Sequence, residues 1–218
     1  MATESRAQAH SQAKLAGHGH DHDHHSVFHY DHLALNRLGL WLFFISETMI
    51  FLVLLSTRFV LPGARQMLDA NGGVAHVDQL LGLIITVVLL ASSLTAYRAE
   101  TAIAHGDRKT CERNLLGTII MGTVFLLAVV VLEWPTALEH HVTPHAGFGI
   151  SLFAMTGMHA FHVLSGVVIL LLVWANLRRG GYSAEHYWGV EATVKYWHMV
   201  DLVWVFFYPV LYLLGPIK

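Results

Sequence analysis

His159 and His162 stand three residues apart inside the apolar run MTGMHAFHVLSG, so on a helix they lie one above the other on one face. Imidazoles bind metals and haem, relay protons, and hydrogen-bond across helices. Other groups fit for such chemistry sit in equally apolar surroundings. Glu47 lies in LFFISETMIFL and Glu133 in VVLEWPTAL; Glu191, Lys195, His198 and Asp201 share VEATVKYWHMVDLVW. Glu191 and Lys195 are four apart in the order that favours a helical ion pair, and His198 and Asp201, three apart, share that broad face.

These residues leave several chemistries open. The simplest is a set of hydrogen-bond ties between helices, each worth about 0.6–2 kcal/mol within a membrane. A transition-metal or di-iron site has histidines and carboxylates to draw on, but no Glu-x-x-His pattern falls within the apolar segments. Haem fits poorly, because two histidines one turn apart on one helix cannot be opposite axial ligands. Chains of His, Asp and Glu at membrane depth also move protons. The single cysteine, Cys111, excludes an internal disulfide and any CxxC site.

The surroundings decide where these groups are held. The chain has 218 residues, of which 55% are hydrophobic and 13% charged, against roughly 25% charged in soluble domains. Mean hydropathy is +0.51. The charges collect in a polar N-terminus and in short connections, a segregation that marks a polytopic membrane protein and gives no indication of nucleic-acid binding. Five apolar segments reach the length of about 20 residues needed to cross a bilayer: about 35–60, 77–97, 114–137, 147–177 and 190–214. The expected fold is all-α, a bundle of five transmembrane helices over 35–214 with a disordered polar tail over 1–34. No signal peptide is visible, so the first span is expected to drive insertion. Arg6, Lys14, Arg37, Arg98, Arg108, Lys109, Arg113, Arg178 and Arg179 fall on one side, against Arg58, Arg65 and Lys218 on the other. By the positive-inside rule the N-terminus is cytoplasmic and the C-terminus outside.

The tail segment HGHDHDHHSVFHYDH, His18 to His32, is rich in histidine and aspartate. Such tracts bind divalent metals, but the irregular spacing fixes no tetrahedral site. A solvated segment, a cytoplasmic proton buffer and a metal store all suit it.

Three ordered motifs carry a family resemblance over about residues 35–214. Ser46 and Glu47 lie in GLWLFFISETMIF. Thr156, Gly157, His159, His162, Val163 and Gly166 form Thr-Gly-x-His-x-x-His-Val-x-x-Gly. Glu191 precedes Tyr196, Trp197, His198, Val200, Asp201 and Trp204. Together they resemble subunit III of haem-copper cytochrome c oxidases, in a five-helix form. There are two departures. Many members of that family have seven helices divided by a lipid-filled cleft, so the lipid sites of that cleft do not transfer. The family's Gln-x-x-Glu-Tyr is represented here by Glu133 alone, with Val130 and Trp134 at the flanking places.

The resemblance implies a non-catalytic chain. It would hold no haem, copper or other metal, those cofactors belonging to partner subunits, and would carry bound phospholipids. Oxidase subunits I and II would be its partners, and cytochrome c or quinol would reach it only through the complex. That complex oxidises cytochrome c, reduces O2 to water and pumps protons across a bacterial or archaeal cell membrane. Glu47, Glu133, His159, His162, Glu191, His198 and Asp201 become structural polar groups, with stabilisation of the catalytic subunit and support of proton uptake as the chain's role. A subunit III-like partner of a quinol oxidase or nitric oxide reductase is the nearest alternative, and a divalent-metal transporter the more distant one.

Depths counted along the helices lead to one specific pairing. His162 lies 16 residues before Arg178, and Asp201 lies 16 residues after Glu185, both about 24 Å from that end. His162 or His159 is therefore expected to bond Asp201, with Glu47 and His198 in a layer nearer the cytoplasm.

Overall fold

The computed structural model describes residues 32–216. The histidine-rich stretch up to Asp31, with its expected disorder or metal binding, lies outside the described residues. Five long helices follow one another: α1 (His32–Val60), α2 (Gln79–Ala104), α3 (Arg108–Leu127), α4 (Gly147–Arg178) and α5 (Trp188–Tyr208). All five are long and apolar enough to cross a membrane. Among the described residues there is no β-strand, only an isolated bridge between Leu68 and Val74. The chain is thus an all-α polytopic membrane protein.

The helices outrun their apolar windows because their polar ends remain helical. α3 begins at Arg108, where hydropathy alone suggests Asn114, and Asp107 caps it by accepting the Thr110 N–H at 3.0 Å. Asp78 caps α2 in the same way, accepting from the N–H groups of Leu80 and Leu81. α1 is already helical at His32, before the apolar run at Leu35.

Prolines shape two of the helix ends. α3 widens into a π-helical segment, Ala128–Glu133, before the turns of Trp134–Glu139. Pro135 has no N–H for the regular ladder, and a wider turn accommodates the gap. α5 passes into a second π-helical segment, Pro209–Leu213, which opens on Pro209.

Within residues 40–216 the core runs along α2, α3, α4 and α5. Phe125, Leu115, Leu152, Leu170, Val200 and Trp204 are fully enclosed there. Trp197, also fully buried, is wedged between α3 and α4. A β-carbon at Gly122 of α3 would stand 2.4 Å from its ring, and one at Gly166 of α4 would stand 2.9 Å from it. Bare backbone on two helices thus makes room for one indole, as small residues do wherever membrane helices approach closely. α1 is different: only 6% of its most apolar window is buried, against 33–44% in the other four helices. It meets α4 through Glu47, Phe51 and Thr57, and α5 through Phe51.

Candidate functional site: polar ties between helices

Most of the interior polar groups fall into three clusters. In the first, His162 of α4 places Nε2 2.9 Å from Oε2 of Glu47 on α1. Its Nδ1 lies 2.8 Å from the Met158 carbonyl, and the Phe51 ring lies tilted against the imidazole with centroids 4.7 Å apart. Beside it, Ser165 Oγ and Tyr196 Oη are 2.7 Å apart, tying α4 to α5. A cavity of about 450 Å³ opens between α1, α4 and α5, and Phe43, Glu47, Phe161, His162 and Tyr196 are among its lining residues. It is an apolar recess with one ion-pairing couple in its wall.

The second cluster joins α5 to α2. Ser93 Oγ donates to Asp201 Oδ2 and lies 2.9 Å from His198 Nδ1. A hydroxyl has one proton, so the relay runs from His198 Nδ1–H to Ser93 Oγ and from Ser93 O–H to Asp201. Two tryptophans extend the seam: Trp197 Nε1 donates to Ser92 Oγ and Trp204 Nε1 to Thr86 Oγ1, each at 2.9 Å. Asp201 Oδ1 has no protein partner.

The third cluster lies at the other end of the same bundle. Tyr212 donates to Glu133 Oε1, each residue sitting in one of the two π-helical segments. Glu133 Oε2 is left without a protein partner. Nearby, Arg58 of α1 is completely buried. It donates to the carbonyls of Ala64, Leu214 and Gly215, and Phe148 lies 5.3 Å from its guanidinium carbon. Glu191 and Lys195 form an ion pair within α5, with Lys195 over the Trp188 ring at 5.7 Å.

The expected pairing of Asp201 with a histidine is not found. Both nitrogens of His162 are engaged elsewhere, and neither nitrogen of His159 has a partner. His159 is enclosed by aromatic rings, 4.8 Å from Trp204 and 5.6 Å from Phe125. The layering is also revised, since Glu47 shares the level of His162. The 2.9 Å contact between Glu47 Oε2 and His162 Nε2 sets that level directly. Asp201 turns instead to α2, where serine lets the backbones approach.

Ser92, Ser93, Thr86 and Arg58, with Ser165 and Tyr212, are the participants that sequence reasoning passed over. The signal for the first three was present: paired hydroxyls in an otherwise apolar span mark a helix–helix contact. Among the described residues, no group of three or more His, Cys, Asp or Glu side chains converges as a metal site would require.

Fold and polar seam together define a polytopic helical membrane protein whose inward polar side chains join one helix to another. A family model described as cytochrome c oxidase subunit III matches residues 16–216. The cytochrome c oxidase subunit 3 of Thermostichus vulcanus is 31% identical over 186 residues, 85% of this chain and 90% of that protein. That of Synechocystis is 30% identical over 187 residues, 85% of this chain and 78% of the relative. That of Tetraodon nigroviridis is 36% identical over 135 residues, 61% of this chain and half of the fish protein. The chain belongs to the cytochrome c oxidase subunit III family, and so to a multisubunit respiratory oxidase.

Proposed function

We propose that the chain is the non-catalytic subunit III of a proton-pumping terminal oxidase in a bacterial or archaeal cell membrane. It packs beside subunit I, with subunit II in the same complex, stabilises the catalytic subunit, and supports proton uptake from the cytoplasm. The N-terminus is cytoplasmic and the C-terminus outside, by the excess of arginine and lysine on the first side. The haem and copper that carry electrons to O2 belong to the partner subunits.

The observation that carries this reading is the use made of the interior polar groups. Glu47 with His162, Ser93 with Asp201 and His198, and Tyr212 with Glu133 each tie one helix to another. Such ties hold five helices in register as a scaffold, and they leave the exposed apolar side of α1 for lipid or a neighbouring subunit.

Co-purification tests the proposal. An affinity-tagged chain drawn from native membranes in mild detergent should bring with it a haem-containing subunit and a copper-binding subunit II. Recovery without any haem protein would overturn it. A haem partner lacking the copper domain would assign quinol as the electron donor.

A further inference from the structure

The connection between α1 and α2 carries the dipeptide Asn71-Gly72 at an exposed turn. Asp69 builds that turn. Its Oδ1 accepts the N–H groups of Asn71 and Gly73, each at 2.8 Å, and its own N–H donates to the Gly73 carbonyl at 2.8 Å. Gly72 is held least: its N–H reaches the Asp69 carbonyl at 3.3 Å, the longest bond of the turn. It takes φ +81°, in the left-handed region, and nothing stands within 4 Å of the place a β-carbon would occupy. Among the described residues, no hydrogen bond holds the Asn71 side chain. A free side-chain amide thus precedes an unshielded backbone nitrogen. The chain's other asparagines, Asn36, Asn114 and Asn176, all lie in helices, before arginine or leucine.

The same turn holds down the start of α4. That helix begins at Gly147 with no side-chain cap, so its first N–H groups need partners from elsewhere. The Leu68 carbonyl supplies one, accepting from Phe148 N–H at 2.8 Å, and Ala70 N–H donates to the His141 carbonyl at 3.0 Å. A β-carbon at Gly147 would stand 1.9 Å from the Leu68 oxygen, so the approach admits glycine alone. The residues on either side of Asp69 therefore stitch the α1–α2 connection to the α3–α4 connection.

We infer that Asn71 is a site of spontaneous deamidation, and that its conversion loosens the start of α4. Asparagine is a thermolabile residue, and here the two reacting groups are adjacent and free. The Gly72 nitrogen gives its proton to a solvent base and attacks Asn71 Cγ. A new N–C bond closes a succinimide ring as the bond from Cγ to the side-chain nitrogen breaks. That nitrogen takes up a proton and leaves as ammonia. Water then opens the ring at either carbonyl, giving aspartate or isoaspartate. The net change is asparagine plus water to a carboxylic acid plus ammonia. The new carboxylate stands two residues from Asp69, whose own carboxylate gathers the turn, and like charges repel. Isoaspartate also lengthens the main chain by one carbon inside a turn already closed by hydrogen bonds.

The test ages the full chain, in the complex purified from membranes, in warm buffer of mildly acidic and of mildly alkaline pH. Trypsin, cutting after Arg65 and Arg98, releases the peptide that holds Asn71. Mass spectrometry should show the exchange of amide for acid at Asn71 well before the other three asparagines, and faster in alkali. Isoaspartyl methyltransferase should label the aged peptide. Asn71→Gln keeps the backbone N–H and lengthens the side chain, and should abolish both signals. Hydrogen exchange at the Phe148 amide should run roughly five-fold faster in aged wild type, the factor for one hydrogen bond lost, and stay unchanged in aged Asn71→Gln. Conversion of Asn71 no faster than that of the helical asparagines would overturn the site. Conversion with unaltered exchange at Phe148 would overturn the link to α4.

Discussion

His162 is fixed at both ring nitrogens, by the Met158 carbonyl at Nδ1 and by Glu47 at Nε2, 2.9 Å away on another helix. A carbonyl accepts only, so Nδ1 carries a proton. The contact at Nε2 then needs one more proton between nitrogen and carboxyl oxygen, whichever atom holds it. The couple accordingly keeps one shared proton at depth without a net charge.

Glu47→Ala removes the acceptor and leaves Nε2 unpaired. The expected loss is about 1–3 kcal/mol, or roughly 2–4 °C in Tm per kcal/mol for a chain of this size. Glu47→Gln can donate its amide N–H to Nε2 and should cost less. The sole cysteine, Cys111, is buried, so a thiol-reactive dye reports unfolding directly. Equal melting of the two variants would show that the pair contributes no bond.

Ser93 carries the α2–α5 tie, and Asp201 depends on it. Ser93→Ala strips the one hydrogen bond from Oδ2 of a carboxyl group whose Oδ1 is already bare, at an expected cost of about 1–3 kcal/mol. In a double-mutant cycle with Asp201→Asn the two changes should couple by about 0.5–3 kcal/mol. Strict additivity in the same dye assay would place the two residues apart.

Five helices and their type were legible from apolar length, because bilayer thickness imposes that length on any spanning segment. Which side chain meets which was not. Glu47 and Asp201 both announce themselves as polar groups at depth, but periodicity gives a face and a level, never the neighbour across it. The partner of Asp201 was decided by Ser93, a small residue with a weak sequence signal. The partner of Glu47, His162, stands 115 residues away along the chain, a separation at which local pattern carries no pairing information. The two π-helical segments lie beside Pro135 and Pro209, yet a proline in a helix is as compatible with a kink as with a π turn.

The glycines around Trp197 should tolerate nothing larger. Gly122→Ala puts a methyl group 2.4 Å from the indole, and the ring is locked by its bond to Ser92. Overpacking of this kind costs about 1–3 kcal/mol. Trp197→Leu, itself destabilising, should make Gly122→Ala nearly neutral. If Gly122→Ala is as harmful in the leucine background, the clash with the indole is not its cause.

The cap of α3 should respond to acid. Hydrogen bonds from Thr110, side chain first and backbone next, hold Asp107 below the usual carboxylate range. A depressed carboxyl stabilises the fold above its unfolded value, near 3.9 for aspartate, and this is lost as pH falls through the folded value. The gap in Tm between wild type and Asp107→Ala should therefore hold steady from pH 7 to about 5 and close below about pH 4. A gap that persists at pH 3 would mean that the charge of Asp107 plays no part in the cap.

Arg58 supplies the sharpest contrast between charge and shape. It is wholly buried, no carboxylate stands among its hydrogen-bond acceptors, and its guanidinium reaches three carbonyls: Ala64 after α1, and Leu214 and Gly215 at the far end of the chain. A planar fork can serve several acceptors at once, whereas an ammonium is a point donor on a longer, looser stem. Arg58→Lys keeps the charge but should lose most of the clasp, and Arg58→Met should lose all of it. Hydrogen bonds to a charged group contribute about 1.5–3 kcal/mol each, so Arg58→Lys should lower Tm by several degrees. Removing residues 214–218 deletes two of the acceptors from the other side. If the clasp is real, truncation should destabilise the wild type strongly and the Arg58→Met variant much less, because the second change then removes contacts already lost. Equal losses in both backgrounds would show that Arg58 and the C-terminal carbonyls act independently.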